Sequence, residues 1–379
     1  VESPDGDYIR EMTWPIIEGV SLMHYHLNRG KKSITLDLKT EAGKELYREL
    51  VRDADVVIEA MRPGVLAKLG LGFEDLRKVN PAIVFCTVSG YGMTGPYKDM
   101  PSHGIAYDTW SGAVTPAYDE EGFCYIPEHV SIGINAAPLF GGLAVLAGVL
   151  RARATGAGCM MELGQSDAAA FFDWYRCESH LAYARPQDVV TGNKADGYVR
   201  RPVATAGMKE GVRYQIYASS DGHVLFMASE QAFWKNFCEG VGRGDLFEKW
   251  PGSRYADHAR GNRELQRELR EIFRSRTSAQ WMEFSARANT PIAPVNTPQN
   301  IVDDPQFKAR FDLLPHETHG ADMLSFPVHF VGEQLLPPAR APVAGEHTEQ
   351  VLREVLGCDD ARVAAIRGSG ALGAAAARD

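Results

Sequence analysis

The chain has 379 residues, 45% of them hydrophobic and 23% charged, the proportions of a soluble globular protein with room for a sizeable core. A net charge of −9 and a pI near 5.7 argue against non-specific nucleic-acid binding, which wants a basic face. Cys86, Cys124, Cys159, Cys177, Cys238 and Cys358 are scattered without a CxxC pair or zinc spacing; that predicts reduced thiols in a cytoplasmic protein and no metal, and no apolar run reaches the roughly 18 residues of a bilayer span.

VESPDGD, at 1–7, reads as the end of a strand followed by a turn, so a preceding segment is expected to be missing. SITLDL (Ser33–Leu38) alternates apolar and polar residues and predicts a strand. Thr40 is placed to cap the helix that follows, with Glu41 and Glu45 near its start, where acids suit the dipole. Ala54–Met61 is a second, mostly apolar strand; Pro63 opens a short helix, and Phe73–Val79 forms another. A third strand runs from Ile83 to Val88 and breaks into a loop with Gly90, Gly92, Gly95 and Pro96. The loop delivers His103 just ahead of Tyr107 and Trp110. Strands alternating with helices at this spacing predict an α/β fold with a Rossmann-like parallel sheet, and a glycine-rich loop after a strand is where such sheets place ligands.

Ala136–Ala152 is small and apolar throughout and predicts a buried helix packing through Gly141, Gly142 and Gly148, ended by Gly156 and Gly158. A helix is expected from Ser166 to Leu181. The composition turns polar near Arg185, and Arg185–Ala206 reads as a crossing segment. From Arg213 two strands flank the turn at Asp221-Gly222, followed by helices, which predicts a smaller α+β domain. Beyond Thr290 the chain is Pro-rich; a helix is expected over Glu349–Leu356 and an Ala/Gly tail from Ser369.

Several of these stretches, in order, resemble the class III CoA-transferases, the family of formyl-CoA transferase, carnitine CoA-transferase and α-methylacyl-CoA racemase. They are VESPDGD, NRGKKSITLDLKTEAGKEL, ADVVIEAMRPGVLAKLGLGFEDL, NPAIVFCTVSGYGMTGPY, WSG, GAG, TPIAPVNTPQNIVDDPQFKAR and APVAGEHTEQVLREVLG. The resemblance implies a large Rossmann-like CoA-binding domain from residues 1–190, a small domain from 191–305 and a return to the large domain over 306–379. It also implies an interlocked dimer, and a further strand and helix ahead of residue 1. The substrates implied are an acyl-CoA and a carboxylic acid, with coenzyme A itself the carried group.

On the matching positions, the resemblance places CoA contacts at Leu36, Lys39, Ala60, Met61, Arg62, Lys68 and Leu69; cations suit phosphates and an apolar slot suits adenine. Family transferases attack the thioester with an aspartate at the start of the small-residue helix, because a mixed anhydride is reactive enough for CoA thiolate to capture. Counting back without gaps from Gly156-Ala157-Gly158 puts Ile134 at that position. The nucleophilic Asp is absent, and Glu128 is the nearest acid upstream. His103 falls at the histidine position of the racemase branch, whose aspartate partner is the same missing residue. Three expectations follow: a CoA-transferase with a displaced catalytic group, a subunit whose aspartate-bearing paralogue completes a heteromer as in benzylsuccinate CoA-transferase, or a racemase or isomerase using His103. A purely regulatory CoA-binding module is a fourth.

Overall fold

The computed structural model describes residues 1–192, 194, 197–200, 208–253 and 257–373. These form two compact units, 1–177 with 312–379 and 178–311.

The first unit is built on a parallel sheet whose middle strand, Val84–Ser89, pairs with Val56–Glu59 on one side and Cys159–Gly164 on the other. A central strand covered on both faces must be apolar, and Val84, Phe85 and Cys86 are buried accordingly. Leu66 and Leu76, carried by the short helices between the strands, pack with Leu71 from the link between those helices and Ile83 just ahead of the middle strand. The long helix Gly133–Thr155 follows, and its glycines set how closely it approaches. A Cβ on Gly148 would stand 2.9 Å from Val84 Cγ1 and 3.0 Å from the Met161 methyl. Gly156 then ends the helix at φ 72°, with its N–H donating to the Ala152 carbonyl.

Thr40 caps Glu41–Arg52 as expected, its hydroxyl accepting from Gly43 N–H at 3.0 Å. The helix packs through Leu46 onto Ile34 and Leu36, and the C-terminal helices Thr348–Glu354 and Asp360–Gly368 bring Val351, Leu352 and Val363 to the same core.

The second unit is an antiparallel sheet in the order Ile292–Pro294, His223–Met227, Tyr214–Ala218. Helices Gln231–Gly240, Arg263–Arg274 and Ser278–Ala288 close over a core of Phe226, Trp234, Phe237, Phe273, Trp281 and Phe284. Thr277 and Gln280 form a reciprocal capping box on the last of these helices.

The chain departs from the sequence pattern in four places. Ser33–Leu38 is extended, but Thr35 makes only an isolated parallel bridge to Glu2, because a strand needs a ladder of partners and Glu2 supplies one rung. The helix expected over Ser166–Leu181 is two, Gln165–Phe172 and Trp174–Tyr183, divided at Asp173. Asp359, an N-cap that accepts from Arg362 N–H, opens a helix that the alanine-rich end of the chain had concealed. The small-residue helix, expected to be buried, extends to 23 residues, is long and apolar enough by composition to cross a membrane, and buries only one side: Gly141 and Gly148 face the sheet while Gly142 and the leucines beside it are exposed. Parts of the polar segment 185–206 and the end of the tail, 374–379, lie outside the described residues.

Gly158 is the tightest point of the sheet: a Cβ there would fall on the Ile83 carbonyl. Gly158→Ala is expected to cost about 1–3 kcal/mol or more, since backbone cannot give way as a side chain can. Denaturant unfolding measures it.

Candidate active site

The C-terminal ends of the parallel strands open onto a cavity of about 1580 Å³. Open α/β sheets bind ligands there, because the loops that leave the strands splay apart. Val88, Ser89, Gly90 and Tyr91 leave the middle strand into its floor. Gly90 has no room for a side chain: a Cβ would press on the Ser102 hydroxyl and stand 2.9 Å from the Tyr107 ring. Ser102 Oγ and Tyr107 Oη lie 3.1 Å apart, and Tyr91 packs edge-on against Tyr107 with ring centroids 5.7 Å apart. Burial and the neighbouring phenols of Tyr107 and Tyr97 raise the Tyr91 phenol above its ordinary value, so it stays a neutral hydroxyl near pH 7.

Two helix N-termini meet at this floor. His103 is the residue before Gly104–Trp110 and lines the cavity, exposed. Ile134 and Asn135 lie in the first turn of the long helix and line it too. The two turns touch: a Cβ on Gly104 would stand 2.8 Å from Ile134 Cγ2. His103 and the position expected to bear the nucleophile are thus neighbours in space.

Ile134 is positioned by a residue that the sequence reading passed over. Asp108 is fully buried, and its Oδ1 accepts from Gly133 N–H at 2.7 Å and Ile132 N–H at 3.1 Å. A carboxylate suits those two orphan donors, and the dipole adds to the attraction. Asp108 Oδ2 faces His129 Nε2 at 3.8 Å, and neither atom has a hydrogen-bond partner. His129 Nδ1 lies 3.0 Å from the Pro127 carbonyl, an acceptor, so Nδ1 carries a proton. The available signal was a lone acid inside the apolar run AYDTW.

Of the residues expected to contact CoA, Ala60, Met61, Arg62 and Lys68 line the cavity, just past the end of the Val56–Glu59 strand. Met61 N–H donates to the Glu59 carboxylate at 2.8 Å, which turns the chain out of the strand at that point. Leu36, Lys39 and Leu69 are not among the lining residues. Leu36 is 1% exposed in the core with Leu46 and Leu352, Leu69 packs on the core beside Leu66, and Lys39 is exposed beside the Asp37 turn. Glu128 does not line the cavity; the carboxylates that do are Asp99 and Asp322. Among the described residues no group of three or more His, Cys, Asp and Glu is placed to hold a metal ion.

A strand-end cavity lined by Arg62 and Lys68 suits an anionic ligand. The family model described as CoA-transferase family III matches residues 1–348. The chain belongs to that family, whose members move coenzyme A between an acyl thioester and a carboxylic acid. A probable fatty acyl-CoA transferase of Mycobacterium tuberculosis is 29% identical over 357 residues, spanning 92% of this chain and 88% of that protein. Its crystal structure superposes with a TM-score of 0.72 at 26% identity, over 92% of this chain and 89% of that one. The succinyl-CoA–L-malate CoA-transferase β subunit of Chloroflexus aurantiacus is 28% identical over 390 residues, 95% of this chain and 87% of that one. A CaiB/BaiF family protein from Brucella suis matches at a TM-score of 0.72 and 26% identity, over 93% of this chain and 90% of that one.

Asp108→Ala strips both N–H groups of their acceptor, whereas Asp108→Asn keeps an amide oxygen for them. The alanine variant is expected to be less stable than the asparagine variant by about 1–3 kcal/mol, the cost of leaving buried donors unmade. Equilibrium unfolding of the two variants side by side measures the difference.

Proposed function

We propose that this chain is the CoA-binding subunit of a two-chain CoA-transferase, in which a paralogous partner supplies the aspartate nucleophile. One observation carries the reading: Ile134, an apolar side chain, faces the cavity beside His103 at the first turn of the long helix, where the family's carboxylate is expected. An isoleucine has no lone pair with which to attack a thioester. The buried carboxylate nearby, Asp108, is spent on the helix N-terminus.

In the complete enzyme the partner's carboxylate attacks the thioester carbonyl. The C–S bond breaks, CoA leaves as thiolate and a mixed anhydride forms. The thiolate then attacks the enzyme's side of the anhydride, releasing the donor acid. The acceptor carboxylate next attacks the enzyme's aspartyl-CoA thioester, the C–S bond breaks and a second mixed anhydride forms. The expelled CoA thiolate attacks the acceptor-side carbonyl, giving the acceptor's CoA thioester and the free aspartate, so no oxidant or reductant is consumed. In this reading Arg62 and Lys68 receive the phosphates of CoA, and Ala60 and Met61 flank its adenine. His103 is a hydrogen-bond donor at the reacting carbonyl.

A second chain has somewhere to bind. Leu139, Leu143, Leu146 and Leu150 are each more than 60% exposed and recur along one side of the long helix. Phe171, Phe172 and Tyr175 extend the same kind of surface. Burying a leucine contributes about 1.5–3 kcal/mol, so such a stripe favours association, and an interlocked dimer of the family's kind is the arrangement proposed. The Chloroflexus relative is itself named as a subunit.

The chain alone is expected to bind CoA in calorimetry but to exchange no CoA between a panel of acyl-CoA donors, hexanoyl-CoA and benzoyl-CoA included, and a panel of carboxylic acids. Ile134→Asp, or addition of an aspartate-bearing paralogue, is expected to produce exchange. Arg62→Ala and Lys68→Ala are each expected to weaken CoA binding about tenfold, the worth of one charge-assisted contact. Full exchange by the unaltered chain alone contradicts the subunit reading, and loss of that exchange in His103→Ala would instead point to catalysis through His103.

A further inference from the structure

The cavity is uneven in chemistry. Arg62 and Lys68 line it from the segment that follows the Val56–Glu59 strand. Elsewhere the lining formal charges, among the described residues, are Lys98 against Asp99 and Asp322, one cation to two carboxylates, with His26 and His103 the titratable rings. The wall formed by residues 8–14 and 22–27 and by Met100 is apolar and rich in methionine and aromatic groups: Tyr8, Met12, Trp14, Met23 and Met100 all face the cavity. Trp14 is 88% exposed and Tyr8 75% exposed, so large apolar surface there waits for an occupant. The cavity also exceeds the roughly 300–1,000 Å³ of an ordinary small-ligand pocket, which leaves volume beyond the pantetheine arm.

On the reading of this cavity as an acyl-CoA site, we infer that the acyl group it accepts is apolar and monocarboxylic, an aliphatic chain or an aryl group, and not a short dicarboxylic one. A second carboxylate on the acyl group would be stripped of water against methionine and tryptophan, with Asp99 and Asp322, the latter paired with His316, outnumbering Lys98 on that part of the lining. An apolar tail instead removes the exposed faces of Trp14, Tyr8 and Met100 from water. Methionine suits this role, because its flexible thioether fills irregular space against chains of different shape.

Binding of free CoA and of acetyl-, butyryl-, hexanoyl-, benzoyl- and succinyl-CoA to the full chain, by competition calorimetry, tests the inference without requiring turnover. Affinity is expected to rise about fourfold per added methylene, the equivalent of about 0.8 kcal/mol for each CH2 buried, so that hexanoyl-CoA binds well over tenfold tighter than acetyl-CoA. Benzoyl-CoA is expected to follow hexanoyl-CoA, and succinyl-CoA to bind no tighter than acetyl-CoA. Trp14→Ala is expected to flatten the series and Trp14→Phe to preserve it; Trp14 is exposed, so neither change threatens folding. A flat series, or succinyl-CoA binding tighter than butyryl-CoA, overturns the inference while leaving the CoA site intact. Failure of every ligand to bind, free CoA included, overturns the CoA site itself and this inference with it.

Discussion

The arrangement of this protein turns on one carboxylate. Asp108 accepts the first two free N–H groups of the 23-residue helix, and so fixes where that helix begins. Everything chemical at the cavity floor follows from that start point. It puts Ile134 and Asn135 on the rim, brings Ile134 against Gly104, and leaves His103 beside them. At the other end, Gly148 lets the helix lie on the middle strand, and Gly158 lets the returning strand pass the Ile83 carbonyl. The floor is therefore held from two sides, by a buried charge at one end and by absent side chains at the other.

This frame separates binding from chemistry. Of the cations that suit phosphates, Arg62 sits on the loop after the first parallel strand, on backbone turned by Glu59, and Lys68 ends the short helix that follows. The position that would carry a nucleophile sits on a different element, at the start of the long helix. Position 134 can hold a residue without a nucleophile while the phosphate end is kept, because the two lie on different elements. That modularity makes a binding-competent chain without its own nucleophile physically reasonable.

Much of the sheet was legible in the sequence because its signals are local. The Ile83–Val88 run, the glycine-rich loop after it, the Thr40 cap and the Asp221-Gly222 turn each announce themselves within a few residues. Ser33–Leu38 has a strand's alternation, yet strand identity depends on a partner, and Glu2 pairs with a single residue of it. Leu36, Lys39 and Leu69 were expected beside CoA by position, but position does not say which way a side chain points, and the core around Leu46 and Leu66 claims the two leucines. Asp108 and His129 stayed hidden for a related reason. Their meaning lies in contacts across the gap between residue 108 and the turn at 132–133, and no period or motif spans that gap. Ile134 was legible only by counting from a glycine turn, and the structure adds that it faces the cavity.

The central claim is that this chain holds the acyl-CoA and another chain performs the covalent step. Intact-mass spectrometry of the chain after incubation with an acyl-CoA and hydroxylamine, which traps anhydrides and carboxyl thioesters, addresses it directly. The expected result is an unmodified chain when it is alone and, when an aspartate-bearing paralogue is present, an adduct confined to the paralogue. An adduct on this chain, mapped to Asp99, Glu128 or any other of its carboxylates, would contradict the account.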